Sequence, residues 1–443
     1  NAVTTVIYTQ SLSAQPAVIW SGIFNFSGVL FSAGGVAFSI AALLPSEPLL
    51  ELGKSAGFIM VCAVLLAAIS WNLATWYFGL PSSSTHALIG SIIGVGGASA
   101  MQRNQPIYSG IDWEAAREIG EALLISPLIG FGGAAALFLL LRAFTRAPVL
   151  FDPAASGAQP PWWVRGILLS TCAGVSFAHG SNDGQKGMGL IMFVLVAMLP
   201  ATYAFDRELP HHNQERFHIA SMALASSLPN SPTPVNASVV LTRYMVEGSF
   251  TPFTLPALRA AVIEIDHRVK LHGGFRHVPA AAAQKMESEI FLITGATRKL
   301  AAADALRIDP ILLKQMIDYR SALERATHFI PIWVKVAVAV SLGSGTLIGW
   351  KRIVVTVGEK IGKTHLSYSQ GAVAEVVAMS TIAVADSFSV PVSTTHVLSS
   401  GVAGTMIANR SGVHFGTLRN MISAWLLTLP VSMVLSGGLY FVL

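Results

Sequence analysis

Gly79-Leu80-Pro81-Ser82-Ser83-Ser84-Thr85-His86-Ala87-Leu88 and Ser389-Val390-Pro391-Val392-Ser393-Thr394-Thr395-His396-Val397-Leu398 are two copies of one pattern. Each runs Pro, one residue, three hydroxyl residues, His, an aliphatic residue, Leu. Working outward, each copy follows a long apolar run that begins near a Gly-Lys pair, Gly53-Lys54 and Gly362-Lys363. Each is followed by an apolar segment that contains a proline, Pro127 and Pro430. Order and spacing match across both halves, which marks an internal duplication.

The solvent around these runs follows from composition. Charged residues make up 12% of the 443 residues and hydrophobic ones 53%, with mean hydropathy +0.59. A soluble chain carries about a quarter charged residues, so the expected class is an all-α polytopic membrane protein. Candidate membrane segments are 17–44, 56–80, 87–100, 122–141, 163–178, 187–203, 333–350, 371–385, 397–407 and 421–443. A simple span needs roughly 20 apolar residues, so the shorter segments predict broken helices. The net charge of +5 comes from basic residues clustered at segment ends and does not indicate nucleic acid. Cys62 and Cys172 lie in apolar runs and suggest no disulfide framework.

Loop charge predicts how the halves are related. The loop 45–54 holds Glu47, Glu51 and Lys54, whereas its counterpart 351–363 holds Lys351, Arg352, Glu359, Lys360 and Lys363. Opposite bias in equivalent loops places them on opposite membrane sides, the pattern of an inverted-topology repeat. The expected organisation is a first repeat at 1–142, a basic connection at 143–161, the start of the second repeat at 162–205, a soluble polar insertion at 206–327, and the remainder of the second repeat at 328–443. Asn1-Ala2-Val3 reads as the middle of an element.

Proline in the first turn followed by Ser and Thr predicts a helix N-terminus, here at mid-membrane. Unpaired N–H groups and the helix dipole favour an anion there. Ser83, Ser84, Thr85, Ser393, Thr394 and Thr395 add hydroxyls that can bind its oxygens. Pro81 and Pro391 mark the helix breaks. The strongest single signal is Ala178-His179-Gly180-Ser181-Asn182-Asp183-Gly184-Gln185-Lys186-Gly187, which interrupts a long apolar run. Ionisable residues at membrane depth are expensive and functional by default. Asn182 and Asp183 are the expected substrate contacts, and Gly180 and Gly184 the expected break. His86 and His396 recur in the repeat and are candidates for titration alongside Asp183 and Lys186. Asn72 and Glu375 read as supporting polar residues or interhelical contacts. The insertion histidines His211, His212, His218, His267, His272 and His277 are scattered, and no metal site is assigned to them. No zinc-protease, nucleophile-elbow or dinucleotide motif occurs, which argues against an enzyme.

With the Asn182-Asp183 motif and the paired hydroxyl motifs, the chain resembles the PiT inorganic phosphate transporter family over nearly its whole length. The stretches 358–363 and 391–404 look most like the low-affinity phosphate transporters of bacteria. The resemblance implies a homodimer in the bacterial inner membrane, surrounded by lipid, with phosphate bound centrally. It also implies a first-half Asp motif ending at Asn1. Sodium-coupled members carry Asn where this chain has Lys186, and an ammonium can fill the electrostatic role of a bound sodium. Proton symport is therefore the expected coupling. The resemblance extends to phosphate carried as a neutral complex with Mg or another divalent cation. The alternatives are a sulfate permease of the same fold and a sodium-coupled phosphate symporter.

Overall fold

The computed structural model describes residues 2–41, 43, 53–152, 159–232, 236–303 and 309–443. Asn1 and most of the loop 45–54, including Glu47 and Glu51, lie outside the described residues, as does part of the connection 143–161. Among the described residues the regular elements are helices. Those of the first half are α1 (Thr4–Tyr8), α2 (Ala14–Phe31), α3 (Gly35–Ala41), α4 (Gly53–Tyr77), α5 (Ser84–Gln102) and α6 (Trp113–Phe144). The second half begins with α7 (Trp162–Met198). The insertion holds α8 (His211–Ser227), α9 (Ala237–Glu247), α10 (Thr254–Leu271), α11 (Ala280–Ala303) and α12 (Pro310–Thr327). It is followed by α13 (Ile332–Thr346), α14 (Trp350–Val355), α15 (Tyr368–Ser387), α16 (Thr394–Ala408) and α17 (Phe415–Val442). Gly57–Tyr77, Trp113–Phe144 and Phe415–Val442 are long and apolar enough to cross a membrane by length and composition alone.

The chain forms two compact units, one from 1–44, Ile59–Ile191 and Pro331–Leu443, the other chiefly from Met192–Ile330. In the first, the halves exchange partners. Helix α5, which carries the first hydroxyl motif, packs along α17 of the second half. Helix α16, which carries the second motif, packs along α6 of the first. The remaining large contact joins the corresponding helices α2 and α13. A Cβ on Gly22 would lie 3.1 Å from the Gly343 carbonyl oxygen, and one on Gly343 would lie 3.3 Å from that of Gly22. In the two largest contacts a tip helix of one half therefore lies against the closing helix of the other.

The expected break at Gly180 and Gly184 is corrected by the structure. Helix α7 runs unbroken through Ala178–Gly187, so segments 163–178 and 187–203 do not form separate helices. Both glycines have helical backbone and serve packing instead. Gly180 lies against the backbone of Asn25, Gly184 against the side chain of Val29, and Gly28 against the Phe177 carbonyl. Helices α2 and α7 therefore meet backbone to backbone, with small residues at the contact, as membrane helices do.

The second unit is a helical bundle with its own core. Phe217 packs against Phe275 and Tyr319, with Leu224, Leu258, Ile265 and Met316 fully buried around them. Asn236 caps α9 through the Ser238 N–H, and Asp309 caps α12 ahead of Pro310. Arg268 bridges Glu264 at 2.7 Å and Glu289 at 2.8 Å. Among the described residues, no three His, Cys, Asp or Glu side chains converge as metal ligands.

Two outcomes test this packing. Gly28→Ala should destabilise the protein by about 1–3 kcal/mol, the usual cost of overpacking, whereas Gly132→Ala should be neutral or stabilising. A Cβ at Gly132 meets nothing within 4 Å. Thermal unfolding in detergent measures both.

Within the bundle, burial pushes the Glu287 carboxyl from 4.5 up to about 7. The folded form holds a proton that the unfolded chain has lost over this interval. Its contribution to stability therefore falls as pH rises from about 4.5 to about 7 and is level above that. Amide hydrogen exchange across that range should show the slope, and Glu287→Gln should flatten it.

Candidate substrate and coupling site

The two hydroxyl motifs form extended tips that turn into helices. Ser83 is the N-cap of α5 and accepts from the His86 N–H; Ser393 is the N-cap of α16 and accepts from the His396 N–H. Pro81 and Pro391 each lie two residues before the cap rather than in the first turn. The expectation of a proline inside the helix start is corrected: proline's fixed backbone holds the extended entry strand instead. Gly79, with φ of +66°, and Ser389, with φ of +59°, make the preceding turns.

The tips meet. The Thr85 hydroxyl donates to the Val392 carbonyl at 3.0 Å, and the imidazole rings of His86 and His396 lie 4.7 Å apart. His396 stacks on Trp425 at 4.0 Å, and its Nε2 is buried with no partner among the described residues. The Trp425 indole N–H donates to the Pro81 carbonyl. The Ser82 hydroxyl and the Trp71 indole N–H both bond the Thr428 hydroxyl. Ser84 is exposed, whereas Ser83, Thr85, Ser393 and Thr394 are buried and Thr395 partly so.

Helix α7 brings its motif to this junction. Lys186, 5% exposed, donates from Nζ to the Asp183 carboxylate at 2.6 Å, to the Val392 carbonyl at 2.9 Å, and to the Thr85 hydroxyl. One ammonium thus joins α7 to both tips. Asn182 is fully buried and pinned at both ends of its amide. It donates to the Val390 carbonyl at 3.2 Å and accepts from the Val392 N–H at 3.3 Å. Asn182 thus sets the shape of the second tip. Asp183 keeps its other oxygen 3.3 Å from His179 Nε2. The structure therefore gathers Asp183, Lys186, Thr85, His86 and His396 at one place.

Several residues of the site were not singled out from sequence. Asp386 accepts from the Ser181 hydroxyl at 2.7 Å and the Gln185 amide at 2.5 Å, the residues on either side of Asn182-Asp183. An acid five positions before Pro391 at the end of an apolar run was the available signal. His179, Asn25 and Gln185 are bound into the same network. Glu375 is fully buried and accepts from Thr5 and Thr171. Asn72 offers only its carbonyl, to Thr75, among the contacts seen.

A model of the "Phosphate transporter family" matches residues 1–436. The chain belongs to the phosphate transporter family. It is 36% identical to the low-affinity inorganic phosphate transporter PitB of Escherichia coli (strain K12), an alignment that covers 100% of this chain and 92% of that protein. It is 36% identical to PitA of the same strain, over 99% and 91%. A probable low-affinity inorganic phosphate transporter of Bacillus subtilis (strain 168) is 27% identical, over 100% and 90%. Among solved structures, "The sodium-dependent phosphate transporter" shares the fold, with TM-score 0.52 and 16% identity over 100% of this chain and 94% of that one. The protein is thus a membrane transporter of the PiT type and not an enzyme, as the sequence motifs implied.

In this transporter Thr85 both accepts from Lys186 and donates to the opposite tip. Thr85→Val keeps the shape and removes both bonds. A lost hydrogen bond to a charged group costs about 1.5–3 kcal/mol. Phosphate uptake at subsaturating concentration should fall at least tenfold, read as initial rate in proteoliposomes.

Proposed function

We propose that the protein imports inorganic phosphate across the bacterial inner membrane by proton symport, its two halves working as inverted repeats that alternate access to the tip junction. The observation that carries this reading is the Lys186 ammonium, held among the Asp183 carboxylate, the Thr85 hydroxyl and the Val392 carbonyl. A permanent cation in an oxygen-lined position repels a second cation strongly in a low-dielectric interior. That disfavours the sodium-coupled alternative and leaves the proton as coupling ion, with Asp183, His86 and His396 beside the path. The same ammonium supplies positive charge for phosphate. Asp183 and the tip hydroxyls of Ser83, Ser84, Thr85, Ser393, Thr394 and Thr395 supply the polar contacts, and Asn182 holds the second tip in place for them. Monohydrogen phosphate can donate its proton to Asp183, whereas sulfate has none to give at neutral pH. That favours phosphate over the sulfate-permease alternative. A neutral complex of phosphate with Mg or another divalent cation suits a site of low net charge. The exposed apolar residues Leu124, Leu128, Leu426 and Val434 of α6 and α17 suit contact with lipid or with a second copy in a homodimer.

Uptake into proteoliposomes of the intact protein should follow an inward proton gradient, ignore sodium, and collapse with a protonophore. Lys186→Asn should lose proton-driven uptake. Sodium-stimulated uptake by the unmodified protein at fixed pH and membrane potential would sink the reading.

A further inference from the structure

The hydrogen bonds around His179 decide where its protons are. Asn25 on α2 places Oδ1 2.7 Å from His179 Nδ1, and its Nδ2 lies 3.2 Å from Thr346 Oγ1 and 3.4 Å from Ser21 Oγ. The Thr346 hydroxyl spends its hydrogen on the Leu342 carbonyl at 2.8 Å. It must therefore accept from Asn25, which fixes the Asn25 amide with its oxygen towards the imidazole. An amide oxygen accepts only, so His179 Nδ1 carries a hydrogen. Neutral His179 then has a bare lone pair on Nε2, which lies 3.3 Å from an Asp183 carboxylate oxygen. Two acceptors facing each other repel. A proton on Nε2 turns this contact into an ion pair.

We infer that His179 is a coupling residue of this transporter: its Nε2 takes up the co-transported proton, the resulting imidazolium donates to Asp183, and Asn25 enforces this by locking the other ring nitrogen. The inference rests on the proton-symport reading above and names the group that serves it.

Charge supplies the link to phosphate. Without the proton, Lys186 and Asp183 cancel; with it, Lys186, His179 and Asp183 together carry one net positive charge beside the tips. An anion therefore binds the protonated form more tightly, and by reciprocity the bound anion holds the proton more tightly. The His179 side chain is 30% exposed and that of Asp183 12%. The surroundings leave this charge step legible. Helix α2 has no titratable side chain. Helix α13 has only Lys335, which donates to the Ser32 carbonyl. On α15, Asp386 is held by Ser181 and Gln185, and Glu375 by Thr5 and Thr171. The tips bring His86 and His396 to each other.

The test uses the intact protein in proteoliposomes, with inorganic phosphate alone as substrate. Accumulation driven by an acidic exterior is compared with phosphate–phosphate exchange, which needs no proton gradient. His179→Gln places an amide N–H where Nε2–H would be and cannot titrate. Its accumulation relative to its exchange should fall at least fivefold, and the ionisation of phosphate itself is common to both proteins. Asn25→Leu, which releases the lock so that neutral His179 can donate to Asp183 from Nε2, should lower the same ratio. Asn25→Leu carries the test if the glutamine variant fails to insert. Proton-driven accumulation at the unmodified ratio in either inserted variant overturns the role of His179. Indifference of the unmodified protein to the pH gradient would instead overturn proton symport, and this inference with it.

Discussion

A single buried ammonium organises the transport unit. Lys186 is almost without exposure, and taking an ammonium out of water costs several kcal/mol unless its protons find good acceptors. Here they find three, and each belongs to a different element: Asp183 on α7, Thr85 on the first tip, and the Val392 carbonyl on the second. Satisfying one cation therefore fixes the relative position of both halves at their most polar point. A carboxylate or hydroxyl of one tip alone would leave the ammonium short of acceptors. The need to bury it is thus a reason for the tips to meet.

The exchanged packing of the helices follows from the same constraint. To reach Lys186 together, each tip helix must leave its own half and lie against the other's closing helix, α5 on α17 and α16 on α6. Helices α2 and α7 then come close enough for Asn25 to reach His179, which requires the hydrogen side chains of Gly28 and Gly180 at the crossing. Asn182 adds a second restraint, holding the strand from Val390 to Val392 in the position from which its carbonyl can meet the ammonium. Polar satisfaction and apolar close packing therefore point to the same arrangement, as expected of a sequence with one stable fold.

Much of this was legible in the sequence because the signals were local. Caps are set by a few adjacent residues, so Ser83 and Ser393 could be placed at helix starts from Pro, hydroxyl and His alone. The duplication was visible because spacing survives in a linear string. What failed was the reading of Gly180 and Gly184 as a helix break. A glycine that permits a bend and one that permits a neighbour's backbone to approach look identical in sequence. Only the position of α2 distinguishes them. Asp386 escaped notice because its partners, Ser181 and Gln185, lie some two hundred residues earlier, and no local pattern announces such a pairing. The proline positions were off by one turn because a cap is defined by hydrogen bonds rather than by the nearest proline.

The network also has a direction. From Thr346 through Asn25, His179 and Asp183 to Lys186 and the tips, each donor and acceptor role is dictated by the one before it. The Thr346 hydrogen is committed to a carbonyl of its own helix, so the chain of roles begins from the backbone and does not titrate. It ends at an ammonium that cannot accept a proton without first losing one. Between these fixed ends, the ambiguity collapses onto the contact between His179 and Asp183. On the proposed proton symport, coupling to an anion needs one place where protonation changes charge while the scaffold stays put. An asparagine fixed on one side and an ion pair fixed on the other leave that place between them, within a few ångströms of the junction where both halves meet.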